Sequence, residues 1–269
     1  MAAFTNYFSF EFKTGLRNPS LMLMNYLLPL GFYAMMGAVM VKINPGFGDI
    51  LIPAMIVFTA MSTALLGMPG PMVEQRDAGV YRSFKINGVP ALSILMIPVL
   101  TTIFHSLIVS ALIILTANPL FGGANPTNWG ALVWGTLLST FTMGALGALI
   151  GVVSTGARST VLLAQAIYLP SILLGNLMVP LSALPSSIQK LSGLFPSTYA
   201  MTVFQYYAYG EQSILNPQIS VLVLLASIVV SIALALFLFS WDSQNQTRRA
   251  SPLLALLAIV PFIAGIILA

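Results

Sequence analysis

Residues 91–117 read ALSILMIPVLTTIFHSLIVSALIILTA, residues 118–129 read NPLFGGANPTNW, and residues 130–154 read GALVWGTLLSTFTMGALGALIGVVS. No charged residue lies anywhere between Lys85 and Arg158. Each apolar run is long enough for a helix to cross the ~30 Å hydrocarbon core of a bilayer. The Asn-, Pro- and Gly-rich stretch between the two runs is typical of a turn. The pattern therefore predicts a pair of transmembrane helices joined at one side of a membrane.

Further runs of the same kind lie on both sides of this pair. The predicted spans are Leu21–Val41, Ile50–Met72, Ala91–Ala117, Gly130–Ser154, Thr160–Leu181, Gln218–Ser240 and Pro252–Leu268. Only 6% of the chain is charged and 58% is hydrophobic, whereas a soluble domain carries roughly 25% charged residues. The sequence therefore predicts an all-α polytopic membrane protein in which residues 1–269 form a single transmembrane domain.

The two terminal runs need separate interpretation. Leu21–Val41 is longer than the apolar region of a signal peptide, roughly 7–15 residues, so we expect it to be retained as the first span. Pro252–Leu268 is short and contains Pro261. We interpret it as a seventh span, and the alternative is a segment that lies on the membrane surface.

The basic residues predict the orientation of the chain. With a cytoplasmic N-terminus, eight of the ten basic residues fall in cytoplasmic segments. These eight are Lys13, Arg17, Arg76, Arg82, Lys85, Arg158, Arg248 and Arg249, and only Lys42 and Lys190 fall outside. Because cytoplasmic loops are enriched in Lys and Arg, we expect a multi-pass protein of the cell (plasma or inner) membrane with its N-terminus in the cytoplasm.

Residues 4–17 precede the first span and have helical periodicity. Phe4, Tyr7, Phe8, Phe12 and Leu16 fall on one helical face, and polar side chains fall opposite. This pattern predicts an interfacial helix on the cytoplasmic side of the lipid. Glu11 lies on the apolar face, which indicates that the helix also touches a protein partner; a helix that only floats among the lipid headgroups is the alternative.

Residues 182–212 form an external segment that is too long for a turn and too apolar for a solvated loop. Pro185 and Pro196 are each placed where a short helix can begin. Thr198 follows the second proline, and Tyr199 is the first of several aromatic residues suited to a membrane interface. We interpret the segment as two short re-entrant helices in the outer leaflet.

Residues 73–88, between the second and third spans, hold the densest group of charges. The charged members are Glu74, Arg76, Asp77, Arg82 and Lys85, and Gly79 and Gly88 allow tight turns. A short helix with charges of both signs on the cytoplasmic side suits docking to a soluble partner. An ordinary solvated loop that obeys the positive-inside bias is the alternative.

Four stretches together resemble the ABC-2 permeases of the daunorubicin-exporter type. The first is Arg17-Asn18-Pro19 after the amphipathic helix. The second is the loop from Glu74 through Gly79 and Arg82 to Pro90, which resembles the E-x-x-x-G coupling loop of that family. The third is the Gly-rich fourth span with the Arg158 loop behind it, and the fourth is VPLSALP (179–185) with FPSTY (195–199).

The resemblance implies a six-span permease that dimerises, with itself or with a sister permease, and docks separate ABC ATPase subunits. ATP and Mg would be bound by that ATPase, and this chain would bind no cofactor. The helix Glu74–Arg82 corresponds to the coupling helix and Phe4–Leu16 to the connecting helix. The ATPase-coupling residues implied in this way are Glu74, Arg76, Asp77, Gly79, Arg82, Glu11 and Arg17. Phe195, where the family usually has Asn, and the seventh span depart from the family pattern.

Gly144, Gly147 and Gly151 lie in the fourth span and include a G-x-x-x-G pair. Small residues let helices approach closely. We expect these glycines to pack helices within the bundle, and a dimer seam is the alternative.

Several other functions lack the residues they need. The chain has no Cys, no G-x-x-x-x-G-K phosphate loop, no acidic cluster within a span and no long basic run. These features argue against ATP binding by this chain, metal chemistry and nucleic-acid binding, and hence against a membrane enzyme. An ion-coupled secondary transporter or channel remains the alternative, although its usual ionisable groups at mid-membrane are missing. The favoured function is export of hydrophobic or amphipathic cargo, such as a drug or a lipid.

Overall fold

The computed structural model describes residues 2–44, 46–242 and 250–268, and within these ranges every regular element is a helix. In chain order the helices are α1 (Ala2–Arg17), α2 (Pro19–Ile43), α3 (Phe47–Asp77), α4 (Val80–Ile86), α5 (Ala91–Phe121), α6 (Trp129–Val153), α7 (Ala157–Leu174), α8 (Ser186–Ser192), α9 (Pro196–Val203), α10 (Pro217–Leu238) and α11 (Pro252–Leu268).

Six of these helices are long and apolar enough to cross a membrane, counted over the described residues: α2, α3, α5, α6, α7 and α10. The predicted all-α polytopic architecture is confirmed. Because successive spans alternate in direction, α1, α4 and the α6–α7 connection lie at one end of the bundle, which we call the charged end. The α8 and α9 helices lie at the other end, which we call the opposite end.

The predicted fifth span is too long at its C-terminal side, because α7 ends at Leu174 and not at Leu181. Asn176 turns the chain with a left-handed backbone (φ 63°). Its side chain fixes that turn, accepting a hydrogen bond from the Leu181 amide at 2.9 Å and donating one to Gln205 Oε1 at 3.0 Å. The local hydrogen bonds of Asn176 therefore compete successfully with helix continuation.

The predicted second span is too short at its C-terminal end, because α3 continues past Met72 to Asp77. Nothing in residues 72–77 breaks the helix. Gly79 then turns the chain into α4 with a left-handed backbone (φ 76°), a conformation that glycine adopts without cost. The first part of the charged loop, which carries Glu74, Arg76 and Asp77, is therefore a direct extension of a transmembrane helix.

The bundle is centred on α3 and α6, whose side chains are mostly buried, whereas α2, α7 and α10 are mostly exposed. The two central helices cross closely, because a Cβ on Gly147 would collide with the carbonyl oxygen of Ala64. One turn further on, a Cβ on Gly151 would lie 2.9 Å from Met72 Sδ. Both glycines therefore face a helix of the same chain.

The C-terminal segment α11 consists of a 3-10 stretch, Pro252–Ile259, followed by an α-helical stretch, Val260–Leu268. It packs along α10. Its last turns reach the opposite end, where the Phe262 carbonyl accepts a hydrogen bond from the Tyr199 hydroxyl at 3.2 Å. Since a 3-10 helix rises about 2.0 Å and an α-helix 1.5 Å per residue, α11 covers about 30 Å, the thickness of a hydrocarbon core.

Candidate coupling site at the charged end

The end of α3 and the whole of α4 present charged side chains on their outer surface. Glu74, Asp77, Arg82 and Lys85 are all exposed. Directly after Lys85 lies Ile86, which is 81% exposed. A surface that combines an exposed aliphatic side chain with charges of both signs suits reversible docking of another protein. We call residues 74–86, without the buried Arg76 and Tyr81, the docking surface.

Arg76 is the exception within the charged loop, because it points into the bundle and is only 7% exposed. Its guanidinium donates to the carbonyl of Val152 at 3.0 Å and to that of Ser154 at 2.6 Å. These carbonyls belong to the C-terminal turn of α6 and its cap, where carbonyl groups have no partner within the helix. Arg76 therefore ties the end of α3 to the end of α6.

The segment that follows α10 packs against α4. Arg82 forms an ion pair with Asp242, and the Lys85 ammonium lies 5.9 Å from the centre of the Trp241 ring. Beneath these contacts the ring of Phe239 lies 5.8 Å from that of the buried Tyr81. The docking surface is therefore supported from below by residues 239–242.

Helix α1 packs against the same loop from the other side. The Tyr7 ring meets the Phe84 ring edge-on with centres 5.0 Å apart. The Gln75 amide donates a hydrogen bond to Glu11 Oε1 at 2.8 Å. Glu11 therefore contacts the helix of its own chain that carries the docking surface.

The outward face of α1 adds to the docking surface. Asn6, Phe10, Lys13 and Arg17 are exposed and recur at helical spacing along one side. Phe10 is 62% exposed although it is aromatic. The structure therefore brings Arg17 to the same end as the charged loop, on a face that is directed away from the bundle.

Below α1 lies a small cavity of about 30 Å³ with a mixed polar and apolar lining. Its polar lining consists of Glu11, Asn25, Gln75, Thr101, Thr102 and His105. His105 is held by a contact of 2.6 Å between its Nδ1 and the Tyr26 hydroxyl, and by stacking on the Phe12 ring with centres 4.6 Å apart. Its Nε2 has no protein partner among the described residues and belongs to the cavity lining. His105 therefore serves as a packing residue beneath α1.

Burial shifts the acid–base properties of this region. It raises the pKa of the Glu11 carboxyl above its ordinary value, and the hydrogen bonds from Gln75 and Tyr7 oppose that change. The pKa of the Tyr7 phenol is raised by burial and by the nearby Glu11. Burial raises the pKa of the Tyr81 phenol as well, with Glu11 acting in the same direction and Arg76 against it. Glu11 is therefore easier to protonate in place than an exposed glutamate.

The predicted re-entrant motif occupies the opposite end. Pro185 directly precedes α8 and Pro196 begins α9, as the sequence predicts. Thr198 and Tyr199 are fully buried, and the Thr198 hydroxyl donates to the Ser192 carbonyl at 2.6 Å. Tyr199, the aromatic residue of α9, therefore packs inside the bundle, where the sequence had indicated a membrane interface.

The structure brings the predicted coupling residues to one end, but it adds partners that the sequence did not reveal. Gln75, Trp241 and Asp242 are the main additions. The direction of Gln75 could have been predicted from the sequence. It directly follows Glu74 on a helix and therefore faces a different side. Nothing local to residues 239–242 indicates α4 as their neighbour, because the two segments lie far apart in the chain.

These features define a multi-pass α-helical membrane protein whose charged surface gathers at one end of the bundle. The family model described as ABC-2 family transporter protein matches residues 42–237, which is more than half of the chain, and the chain belongs to that family. It is therefore the permease component of an ABC exporter, a transport protein and not itself the catalyst. No curated protein and no solved structure gives a significant match. The matched range begins near the end of α2 and leaves α1 and α11 outside it.

Proposed function

We propose that this permease exports hydrophobic or amphipathic cargo by alternating access, driven by separate ABC ATPase subunits that dock at the charged end and bind ATP and Mg. The single observation that carries the proposal is the docking surface. Its exposed charges extend directly from α3, a central helix of the bundle, so that a force applied there acts on the transmembrane core.

The proposal places the charged end and the N-terminus in the cytoplasm of a cell membrane. An ATPase works where ATP is available, and most of the basic residues of the chain lie at this end. Arg248 and Arg249, which also support this orientation, lie outside the described residues. Residues 182–212 are then external.

The proposal also requires a second permease, either another copy of this chain or a sister chain. Helices α2 and α7 expose long apolar faces, which suit contact with lipid or with another permease. The long central part of α5 carries no charged residue. A path lined by such helices favours apolar or amphipathic cargo over ions, because a charged solute needs compensating groups in the membrane.

Inverting charges on the docking surface tests the proposal. We expect Glu74→Lys with Arg82→Glu to reduce co-purification of the co-expressed ATPase by more than roughly tenfold, since loss of a partly desolvated charged contact costs about 2 kcal/mol or more. ATP-driven transport should fall with it. Lys190→Glu, an exposed charge change at the opposite end, is the matched control and should leave both unchanged.

Arg82 also pairs with Asp242, so a further variant separates docking from that contact. Adding Asp242→Arg to the double variant restores an ion pair of reversed polarity within the chain. If the ATPase binds the charged side chains of the docking surface, it should still bind this triple variant weakly. The docking assignment is wrong if the double variant inserts normally, retains its ATPase and still transports, and transport that survives ATP depletion with ion gradients intact would indicate an ion-coupled transporter.

A further inference from the structure

The guanidinium of Arg76 occupies a position that its two charged neighbours do not share. Glu74 and Asp77 lie in the same helical turn and are exposed, whereas Arg76 is buried against α6. In addition to its bonds to Val152 and Ser154, its Nη1 lies 3.5 Å from the Gly151 carbonyl. One side chain therefore contacts three carbonyl groups at the end of another helix, those of Gly151, Val152 and Ser154.

The charge of Arg76 matches the helix end that it contacts. The last carbonyls of a helix carry a partial negative charge, and a cation placed there is stabilised. Hydrogen bonds from a charged donor in a buried setting are stronger than neutral ones, because little water is present to replace them. Detaching α3 from α6 at this point would break these bonds, and would leave Arg76 with Asp77, whose Oδ1 lies 3.6 Å from its Nε, as its charged neighbour.

Two further contacts join the same pair of helices below Arg76, namely Gly151 against Met72 and Gly147 against Ala64. The two helices are closely packed here, since any side chain at Gly147 would meet the backbone of α3. The α3–α6 pair is thus held at three levels, and only the level of Arg76 adjoins the docking surface.

We propose that Arg76 is the positioning residue that transmits movement of the docking surface to α6, by holding the C-terminal carbonyls of α6 to the end of α3. The inference rests on the proposed function and adds the route inside the permease. Force applied at Glu74 and Asp77 reaches Arg76 within one helical turn, and α6 follows because its end cannot separate without breaking buried charge-assisted bonds.

The physical attachment is tested on the permease alone. Spin labels at Ala78→Cys and Thr155→Cys, two exposed positions at the ends of α3 and α6, report their separation. Arg76→Gln should raise the population of detached ends by roughly tenfold, because it removes the charge and at least one hydrogen bond. Arg76→Lys keeps the charge but reaches fewer carbonyls and should lie between. Arg158→Gln, an exposed cation at the same end, is the matched control.

The transmitting role is tested in the reconstituted complex. Arg76→Gln should still bind the ATPase and hydrolyse ATP, while transport per ATP hydrolysed falls and Arg76→Lys restores part of it. An unchanged label distance in Arg76→Gln overturns the attachment, and unchanged transport per ATP despite detached ends overturns the transmission. If the wild-type chain binds no ATPase, the proposed function fails together with the transmitting role, while the label distances still decide whether Arg76 holds α6.

Discussion

At the scale of single residues, side-chain direction separates roles that the charge pattern had merged. Glu74, Arg76, Asp77 and Arg82 form one cluster in the sequence, yet Arg76 faces inward and the other three face outward. The distinction follows from helical geometry: Arg76 is four residues from Met72 and shares its buried face, and Glu74 and Asp77 share another. The sequence contained this information only once α3 was known to continue to residue 77.

Glu11 has a role that depends on protonation. Its carboxylate accepts a hydrogen bond from Gln75, so it ties α1 to the helix that carries the docking surface. Because burial raises the pKa of Glu11 when α1 is docked, the docked state is most stable below the ordinary carboxyl pKa of 4.5, where Glu11 is protonated in the docked and released states alike. That stability is lost as pH rises through the higher pKa of the docked state.

We therefore expect α1 to be released more readily as pH rises above the ordinary carboxyl value of 4.5, and Glu11→Gln to remove this dependence. Glutamine keeps an oxygen that can accept from Gln75 and carries no charge to desolvate. Spin labels at Asn6→Cys and Ser83→Cys, both exposed, report the docking of α1 on α4. Glu11→Ala, which removes the acceptor, should weaken docking by about 1 kcal/mol or more at neutral pH. A pH dependence that persists in Glu11→Gln would assign it to another group, of which Tyr7, Tyr81 and His105 are the nearest.

At the scale of elements, α6 shows how small residues set a helix separation. The sequence predicted close packing from Gly144, Gly147 and Gly151, but it could not say which helix they face. In the structure Gly147 and Gly151 lie against α3, and Gly144 lies against α5, where a Cβ would be 3.1 Å from Val99 Cγ1. The partner of a glycine stripe depends on the arrangement of the whole bundle, which the stripe itself does not encode.

The three glycine sites differ in tolerance, and this difference is testable. Gly147→Ala should destabilise the bundle by about 1–3 kcal/mol, because the added methyl group meets a backbone carbonyl that cannot move aside. Gly144→Ala should cost less, since the methyl group of Val99 has room to shift. Gly70→Ala, where no atom lies within 4 Å of the added carbon, is the control. Thermal unfolding in detergent measures the series, and equal costs at 144 and 147 would contradict the described packing.

At the scale of the whole molecule, alternation of apolar runs and loop charges was enough to predict the architecture. The six spans follow from length and hydropathy, because a lipid-exposed helix must be apolar along its whole length. The contacts at the charged end could not be predicted in the same way. They join α1, α3, α4 and residues 239–242, which come together only through the order of the spans in the bundle.

The orientation and the crossing of α11 can be tested together, since the chain has no native Cys. Ser187→Cys and Leu268→Cys, both exposed, should react with an impermeant thiol reagent added outside the cell. Ser83→Cys should react only after the membrane is opened. We expect Leu268 and Ser187 to lie on the same side of the membrane, because α11 reaches the opposite end of the bundle, where Phe262 contacts Tyr199. If Leu268→Cys, like Ser83→Cys, reacts only after the membrane is opened, then α11 does not cross the membrane.

The length of α3 has a mechanical consequence. Its 31 residues cover up to about 46 Å, which exceeds the hydrocarbon core by about 15 Å, so that one end protrudes. Its regular turns are interrupted by the π-helical stretch Ser62–Gly67 and by a bend at Met68, directly before Pro69. Helices kink at prolines and at π-helical turns, so the protruding part, Pro69–Asp77, meets the membrane-spanning part of α3 at a joint. A push on the protruding end of α3 therefore acts first at this joint, where the Ala64 carbonyl faces Gly147 of α6, and does not have to tilt the whole of α3 as one rod.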